Sequence, residues 1–344
     1  MINNKVIVSK NILKKSLVEE EELEKTLSRF IDNSIKAKTN LSDKISTCEV
    51  DIMIYEDLIS IRDNSGGLDP KIRDEEIFKI GNNNTNVVEG VGIKKSFFIL
   101  GTKMDIVSNN KIKPRKFTLD INLDDDELVY QVEESEYNAN QEEGTIIFIS
   151  SLEDRIRRKI SQSWCISSVV TGLGRIYSKF IGKGQLKLDV NGYKVDAIDI
   201  EYKKINSCTL SGAYQVDLYK GDKGCKAGVD LYINGYMFYN REKSKRVKWD
   251  LLKQVKHRYS RCIIEINYNG DKLNFLENQD VLFEQVMDFV KENEQYFRSK
   301  TVIIQFEADI GQVDELKEYY DEDTAKAIGI KAFENLYQNY IKNK

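Results

Sequence analysis

The chain has 344 residues, with 52 Lys and Arg against 56 Asp and Glu and a net charge of −4. Hydrophobic residues make up 41% and charged residues 31%, a globular composition that excludes collagen-like, mucin-like and fully disordered classes. No stretch approaches the roughly 18–20 uncharged apolar residues of a membrane span, and Met1 to Lys15 is too polar for a secretory signal. A cytoplasmic protein with no membrane partner is therefore expected.

In chain order, residues 17–38 have helical periodicity, with Leu23, Leu27, Phe30, Ile31 and Ile35 on one stripe. Glu49–Tyr55 and Leu58–Arg62 read as strands, followed by the turn Asp63-Asn64-Ser65-Gly66-Gly67. Glu89–Gly101 is a glycine loop running into an apolar stretch. Phe117–Asn122, Leu128–Val132 and Thr145–Ile149 read as antiparallel strands. The second half starts near Ser150 with a helix predicted over 153–182. Strands follow at Gln185–Val190, Tyr193–Ile200, Gly212–Tyr219, Gly228–Ile233 and Arg261–Tyr268, then a helix over 279–298. The last segment holds a strand candidate, Thr301–Phe306, an acidic stretch and a closing amphipathic helix near 322–342.

Charge divides the chain into blocks. Residues 1–150 carry a net −8, residues 151–262 a net +12, and residues 263–344 a net −8. Such blocks point to separate surfaces with different partners. The five cysteines are widely spaced and form no CxxC, which argues against a zinc site. The single histidine, His257, excludes mechanisms that need a histidine pair.

Three separated elements of the first half carry chemistry. The first is the helical segment Phe30-Ile31-Asp32-Asn33-Ser34. The amide oxygen of Asn33 is suited to completing a Mg²⁺ shell beside phosphate oxygens. The second is Ile61-Arg62-Asp63-Asn64-Ser65-Gly66-Gly67. Asp63 can accept a hydrogen bond from an exocyclic amine, and Gly66 and Gly67 let a flat base approach the backbone. The third is Glu89-Gly90-Val91-Gly92-Ile93-Lys94-Lys95-Ser96. Its bare N–H groups suit phosphates and Lys94 adds charge. A weaker fourth element, Gly144-Thr145, places a hydroxyl at the head of a strand. Taken singly, the glycine boxes read more often as a plain turn or a hairpin, and Asn33 as a solvated helix position; their order and spacing together are harder to obtain by chance.

In these boxes the sequence resembles the GHKL ATPase superfamily, closest to its MORC and MutL-like branch from bacterial conflict systems. The likeness continues through Leu173-Gly174-Arg175-Ile176-Tyr177, Gly184–Leu188, Val190-Asn191-Gly192 and Gly228–Arg241. It implies an α/β (α+β) fold in three parts. Residues 1–150 would be a Bergerat ATP-binding sandwich, 151–298 a ribosomal-protein-like β/α transducer, and 299–344 a C-terminal extension for interaction. It also implies the cofactors ATP and Mg. Asn33 would bind Mg, Asp63 the adenine amine, and Gly66 and Gly67 the base and ribose. Gly90, Gly92, Lys94 and Ser96 would hold the phosphates, Thr145 the adenine edge, and residues 68–90 would form the lid.

Two positions depart from that pattern. In most such ATPases a glutamate stands four residues before the helix Asn, on the same face. Here that position is Arg29, which cannot take a proton from water but can pair with phosphate oxygens. Glu22 and Glu24 are the nearest helix acids, and Glu22 lies roughly 16 Å away along a helix axis, beyond general-base reach. Glu89 is the other candidate for a base. In the second half, Glu277-Asn278-Gln279-Asp280 has Asn where the branch carries a phosphate-sensing Lys, with Lys272 as the nearby substitute. These departures favour ATP binding over turnover.

The basic stretch 241–261, with Trp249 and Tyr259 interleaved among nine basic residues, reads either as a DNA contact through cations and stacking or as a solvated charged surface. The sequence thus predicts an ATP- and Mg-binding conformational switch that gates dimerisation or a partner effector protein, in a setting such as anti-phage defence. The alternatives are an active MORC/MutL-like ATPase acting on DNA and a chaperone-like ATPase.

Overall fold

The computed structural model describes residues 21–41, 47–77, 92–121, 130–252 and 258–297. The expectations for Gly90, Glu89, His257 and residues 299–344 lie outside them.

The first helix, α1 (Leu23–Leu41), buries the predicted stripe: Leu23, Leu27, Phe30, Ile31 and Ile35 are all in the core. It covers a sheet of eight strands: β1 (Cys48–Ile54), β2 (Leu58–Asp63), β3 (Gly101–Asn109), β4 (Arg115–Asp120), β5 (Tyr130–Glu134), β6 (Gly144–Leu152), β7 (Leu186–Val190) and β8 (Tyr193–Lys194), in the order β5-β4-β3-β6-β2-β1-β7-β8. Every pairing is antiparallel except β1 with β7. Burial alternates along β1 and β4, as expected of strands with one face on helices.

Four helices join α1 on this layer: α2 (Gly92–Leu100), α3 (Asp154–Ile160), α4 (Cys165–Ile176) and α5 (Ser178–Gly182). α1 packs between α2 and α4. The helix predicted over 153–182 is thus three helices. Ser161–Trp164 interrupts it once. Tyr177 interrupts it again, its backbone leaving the helical region while its ring is fully buried. β3 was not predicted: it starts at Gly101 directly after the apolar end of α2, so the two read as one run.

The second sheet contains β9 (Lys203–Leu210), β10 (Tyr214–Lys220), β11 (Gly228–Ile233), β12 (Tyr236–Glu242) and β13 (Cys262–Tyr268), in the order β12-β11-β13-β10-β9. α6 (Lys272–Glu292) covers it with Phe275, Leu282, Phe283, Val286 and Val290. The strand predicted over Tyr193–Ile200 is only two residues long, and residues 195–202 connect the sheets. The first sheet therefore takes in β7 and β8, beyond the boundary expected at 150.

Candidate functional site

Of the predicted site residues, Asp63, Gly66, Gly67 and Thr145 lie together where the end of β2 meets the head of β6, with α1 reaching them through Ser34. Asp63 closes β2, and its carboxylate is clamped on both oxygens. Ser34 Oγ donates to Oδ2 at 2.7 Å, while the Ser65 and Thr145 backbone N–H groups donate to Oδ1 at 2.9 and 3.0 Å. The Ser65 hydroxyl also donates to Oδ1. Four donors fix the direction of this acid, so its remaining lone pairs can accept only from a ligand in one orientation. At Thr145 it is the backbone N–H, not the hydroxyl named from sequence, that makes the contact with Asp63.

Gly66 and Gly67 form the adjoining floor, with φ of 82° and 74°. At Gly67 a Cβ would also meet Ser108 Oγ at 2.7 Å. The loop is pinned from β3: the Leu68 N–H donates to Ser108 Oγ at 2.8 Å, and Asn110 Nδ2 donates to the Gly66 carbonyl at 2.8 Å. At Gly144 a Cβ would lie 1.9 Å from the Asp63 carbonyl oxygen, so the head of β6 abuts the end of β2 with no room for a side chain. Ser34, Ser65, Ser108 and Asn110 are site-building residues that sequence reasoning did not single out. A hydroxyl next to the helix Asn was the available signal for Ser34.

Asn33 is exposed one residue from Ser34, and among the described residues its amide has no partner. Arg29, one turn earlier, lays its stem against Gly92 at the start of α2, 3.6 Å from where a Cβ would stand. The helix bearing the expected phosphate residues therefore begins beside Arg29. Within that helix Lys94 is 2% exposed, and burial pushes its ammonium down to about 8. Ser96 is fully buried. Its hydroxyl donates to the Thr26 carbonyl at 2.7 Å and accepts from Arg29 Nη1 at 3.4 Å. In this conformation it ties α2 to α1, a role the sequence reading did not assign to it.

Among the described residues the acid paired with Arg29 is neither Glu22 nor Glu24. Glu21, just before α1, folds back so that its oxygens lie 2.8 and 2.7 Å from Arg29 Nη2 and Nη1, and 3.3 Å from Lys95 Nζ. Burial opposes its charge, but the Arg29 hydrogen bond and the charges of Arg29, Lys95 and Lys25 outweigh it. The carboxyl is held below the usual carboxylate range. An acid paired in this way is a poor proton acceptor.

The basic stretch is occupied differently from its stacking reading. Trp249 and Tyr259 are 7% and 8% exposed and belong to the second core, so neither ring is free to stack on a base. Lys248 Nζ lies 3.3 Å from Asp280, Arg258 pairs with Glu294, and Arg241 Nε lies 3.4 Å from Asp230. Two cavities, of about 450 and 190 Å³, open elsewhere. The larger is lined by Glu24, Trp164, Thr171 and Arg175, and neither includes a predicted nucleotide residue.

Residues 21–145 match the family model of the histidine kinase-, DNA gyrase B- and HSP90-like ATPases. No curated protein matches the chain. Similar solved structures include the ATPase region of Saccharomyces cerevisiae topoisomerase II, 14% identical over 72% of this chain and 72% of that one, with a TM-score of 0.43. Another is the same region bound to ICRF-187 (dexrazoxane), 15% identical over 72% of this chain and 73% of that one, with a TM-score of 0.45. The matched segment has the GHKL ATPase fold, a mixed α/β layer of helices on a sheet, and the clamped Asp63 and the glycine floor fall inside it. No helix among the described residues is long and apolar enough to cross a membrane.

Proposed function

We propose that the chain is an ATP- and Mg-binding switch of GHKL type with weak or absent intrinsic hydrolysis, gating dimerisation or a partner effector. The observation that carries the reading is the Asp63 clamp beside Gly66 and Gly67: an acceptor held by four donors next to two glycines with left-handed backbone. Such an acceptor fits an exocyclic amine, and the floor fits the plane of a base. Arg29, Gly92 and Lys94 then form the phosphate end. Gly90 completes the phosphate set implied by the family, whereas Ser96, buried against Thr26, supports α2 rather than facing a ligand.

The residues present fit Mg²⁺ as one neutral ligand, the exposed Asn33 amide. Among the described residues no cluster of three His, Cys, Asp or Glu side chains could hold a metal by itself. The ion would therefore share its shell with nucleotide phosphates and water, as Mg²⁺ commonly does, and would supply charge neutralisation there. Weak hydrolysis follows from the base position. Arg29 accepts no proton, and the acid near it is committed to Arg29 and Lys95.

Closure would couple the site to the second sheet. Burial raises the Asp32 carboxyl above its usual range, and the charge of Lys272, at the start of α6, is among those that oppose the shift. We assign Lys272 the phosphate-sensing role in place of Asn278, which lies inside α6 and bonds to Asn274. We also place the boundary between the modules in 195–202 rather than at 150. The MORC/MutL-like branch and an anti-phage setting rest on resemblance alone. A DNA contact through 241–261 loses its aromatic support and keeps only its charge.

The test is equilibrium ATP binding with a turnover assay. The parent should bind ATP with turnover near background. Asp63→Asn, which turns an acceptor into a donor at the amine, should weaken binding roughly 10–100-fold, the scale of a hydrogen bond to a charged group. Equal binding by parent and variant would remove the basis of the proposal. Arg29→Glu should raise turnover from its low level; a parent that turns over fast, with the variant unchanged, would refute the account of Arg29.

A further inference from the structure

We infer that Glu21 is an internal anion seated at the phosphate end of the site, and that a nucleotide's terminal phosphates bind by exchanging with it. The inference rests on the nucleotide site proposed above and adds its regulation.

The Glu21 side chain is 7% exposed, although it stands outside the helix where a glutamate would ordinarily extend into water. What holds it is charge. Arg29, Lys95 and Lys25 approach it, with Lys25 Nζ the most distant at 3.9 Å. The bonding is also incomplete. Oε1 receives a well-formed hydrogen bond from Arg29, whereas Oε2 is close to Nη1 but buried with no aligned donor. A buried acceptor left in this state costs free energy.

Oε2 is thus held less well than Oε1, and the cations that hold Glu21 can equally hold a group with more negative charge and more acceptor atoms. A triphosphate offers both. It also arrives where α2 begins, at Gly92 against the Arg29 stem, an end whose N–H groups and dipole favour anions. Lys95 projects from that same first turn and would pass from carboxylate to phosphate without leaving its helix. A diphosphate or a nucleoside, lacking the terminal charges, would exchange less or not at all.

The experiment measures ATP and adenosine binding by calorimetry in the presence of Mg²⁺, on the full chain and on Glu21→Gln and Asp63→Asn. Glu21→Gln keeps the size of the side chain and removes its charge. It should bind ATP about five- to tenfold more tightly, the scale of a partly exposed ion pair removed from competition, and bind adenosine as the parent does. If the parent binds ATP, Asp63→Asn does not, and Glu21→Gln shows no gain, the inference is overturned while the nucleotide site stands. If neither parent nor Glu21→Gln binds ATP, the nucleotide reading has failed and the inference falls with it. Loss of turnover in Glu21→Gln without tighter binding would show Glu21 acting on water, which also overturns it. Thermal unfolding without nucleotide checks the fold. Should Glu21→Gln not fold, Glu21→Asp, which draws the charge back by one methylene, is held to the same criterion.

Discussion

Lys94 sits in the first turn of α2 with its ammonium almost wholly withdrawn from water. Burial lowers its proton affinity to about 8, so above that pH the free protein carries a neutral amine. A phosphate against it would favour the charged form, and binding would then take up a proton. ATP affinity is therefore expected to be level below about pH 7 and to fall by up to tenfold per unit as pH rises past 8. For folding the sign is opposite. Between about 8 and the ordinary lysine value the folded chain holds fewer protons than the unfolded one, so this group's contribution to stability rises with pH. Calorimetry at pH 7 and 9, in buffers of different ionisation heat, reads the proton uptake. Lys94→Met should abolish the slope, and an affinity that does not change with pH in the parent would sink the assignment. Asp63, Gly66 and Gly67 were legible only in company with the other boxes, because an acid and two glycines after a strand read by themselves as a hairpin turn. Glu21 was not, because its contact with Arg29 spans eight positions and requires the chain before α1 to fold back, which no helical period encodes.

At the scale of elements, the segment after Gly67 is anchored by one side chain of the neighbouring strand. Arg115 opens β4 and is 1% exposed. Its Nη1 donates to the Ile72 carbonyl at 3.0 Å and to Asp74 at 2.6 Å, and its Nη2 donates to the Asp69 carbonyl at 3.0 Å. Those hydrogen bonds, with the one from Lys113, hold the Asp74 carboxyl below the usual range. Arg115→Ala would leave two carbonyls without their donor and should cost about 2–3 kcal/mol. Limited proteolysis should then cut first within 69–77, before global unfolding; cleavage elsewhere at the same protease dose would contradict this anchoring role. Neither Arg115 nor the Ser108 and Asn110 pins could be found from sequence. They act from β3 and β4 on a loop some forty residues earlier, and β3 was hidden behind the apolar end of α2. By contrast α1, β1, β2, β11 and β13 were legible, since their hydrophobic period or unbroken apolar run states directly which face is covered.

The whole molecule turns on the junction where α5 meets the second sheet. Lys179 Nζ lies 3.0 Å from Glu265 on the central strand β13, Phe180 packs edge-on against Tyr236 at 4.8 Å, and the Ser178 and Tyr232 hydroxyls are 3.4 Å apart. One residue upstream, the Tyr177 hydroxyl lies 2.7 Å from both the Ser28 carbonyl and Asp32 Oδ1 on α1, next to the exposed Asn33. A shift of α1 on nucleotide binding would therefore press on Tyr177 and, through two covalent bonds, on the helix that grips the second sheet. The pair to break is Lys179 with Glu265, because Glu265 is 4% exposed and would be left as a buried charge. Lys179→Met alone should destabilise the protein by about 2–4 kcal/mol, and Glu265→Gln in the same background should recover part of that loss. If the junction transmits nucleotide state, the double variant should bind ATP like the parent yet lose the ATP-dependent change in hydrogen exchange along β13. Retention of that change with the ion pair removed would place the coupling elsewhere, with Lys272 and its stacking on Phe238 at 5.0 Å as the next contact to test.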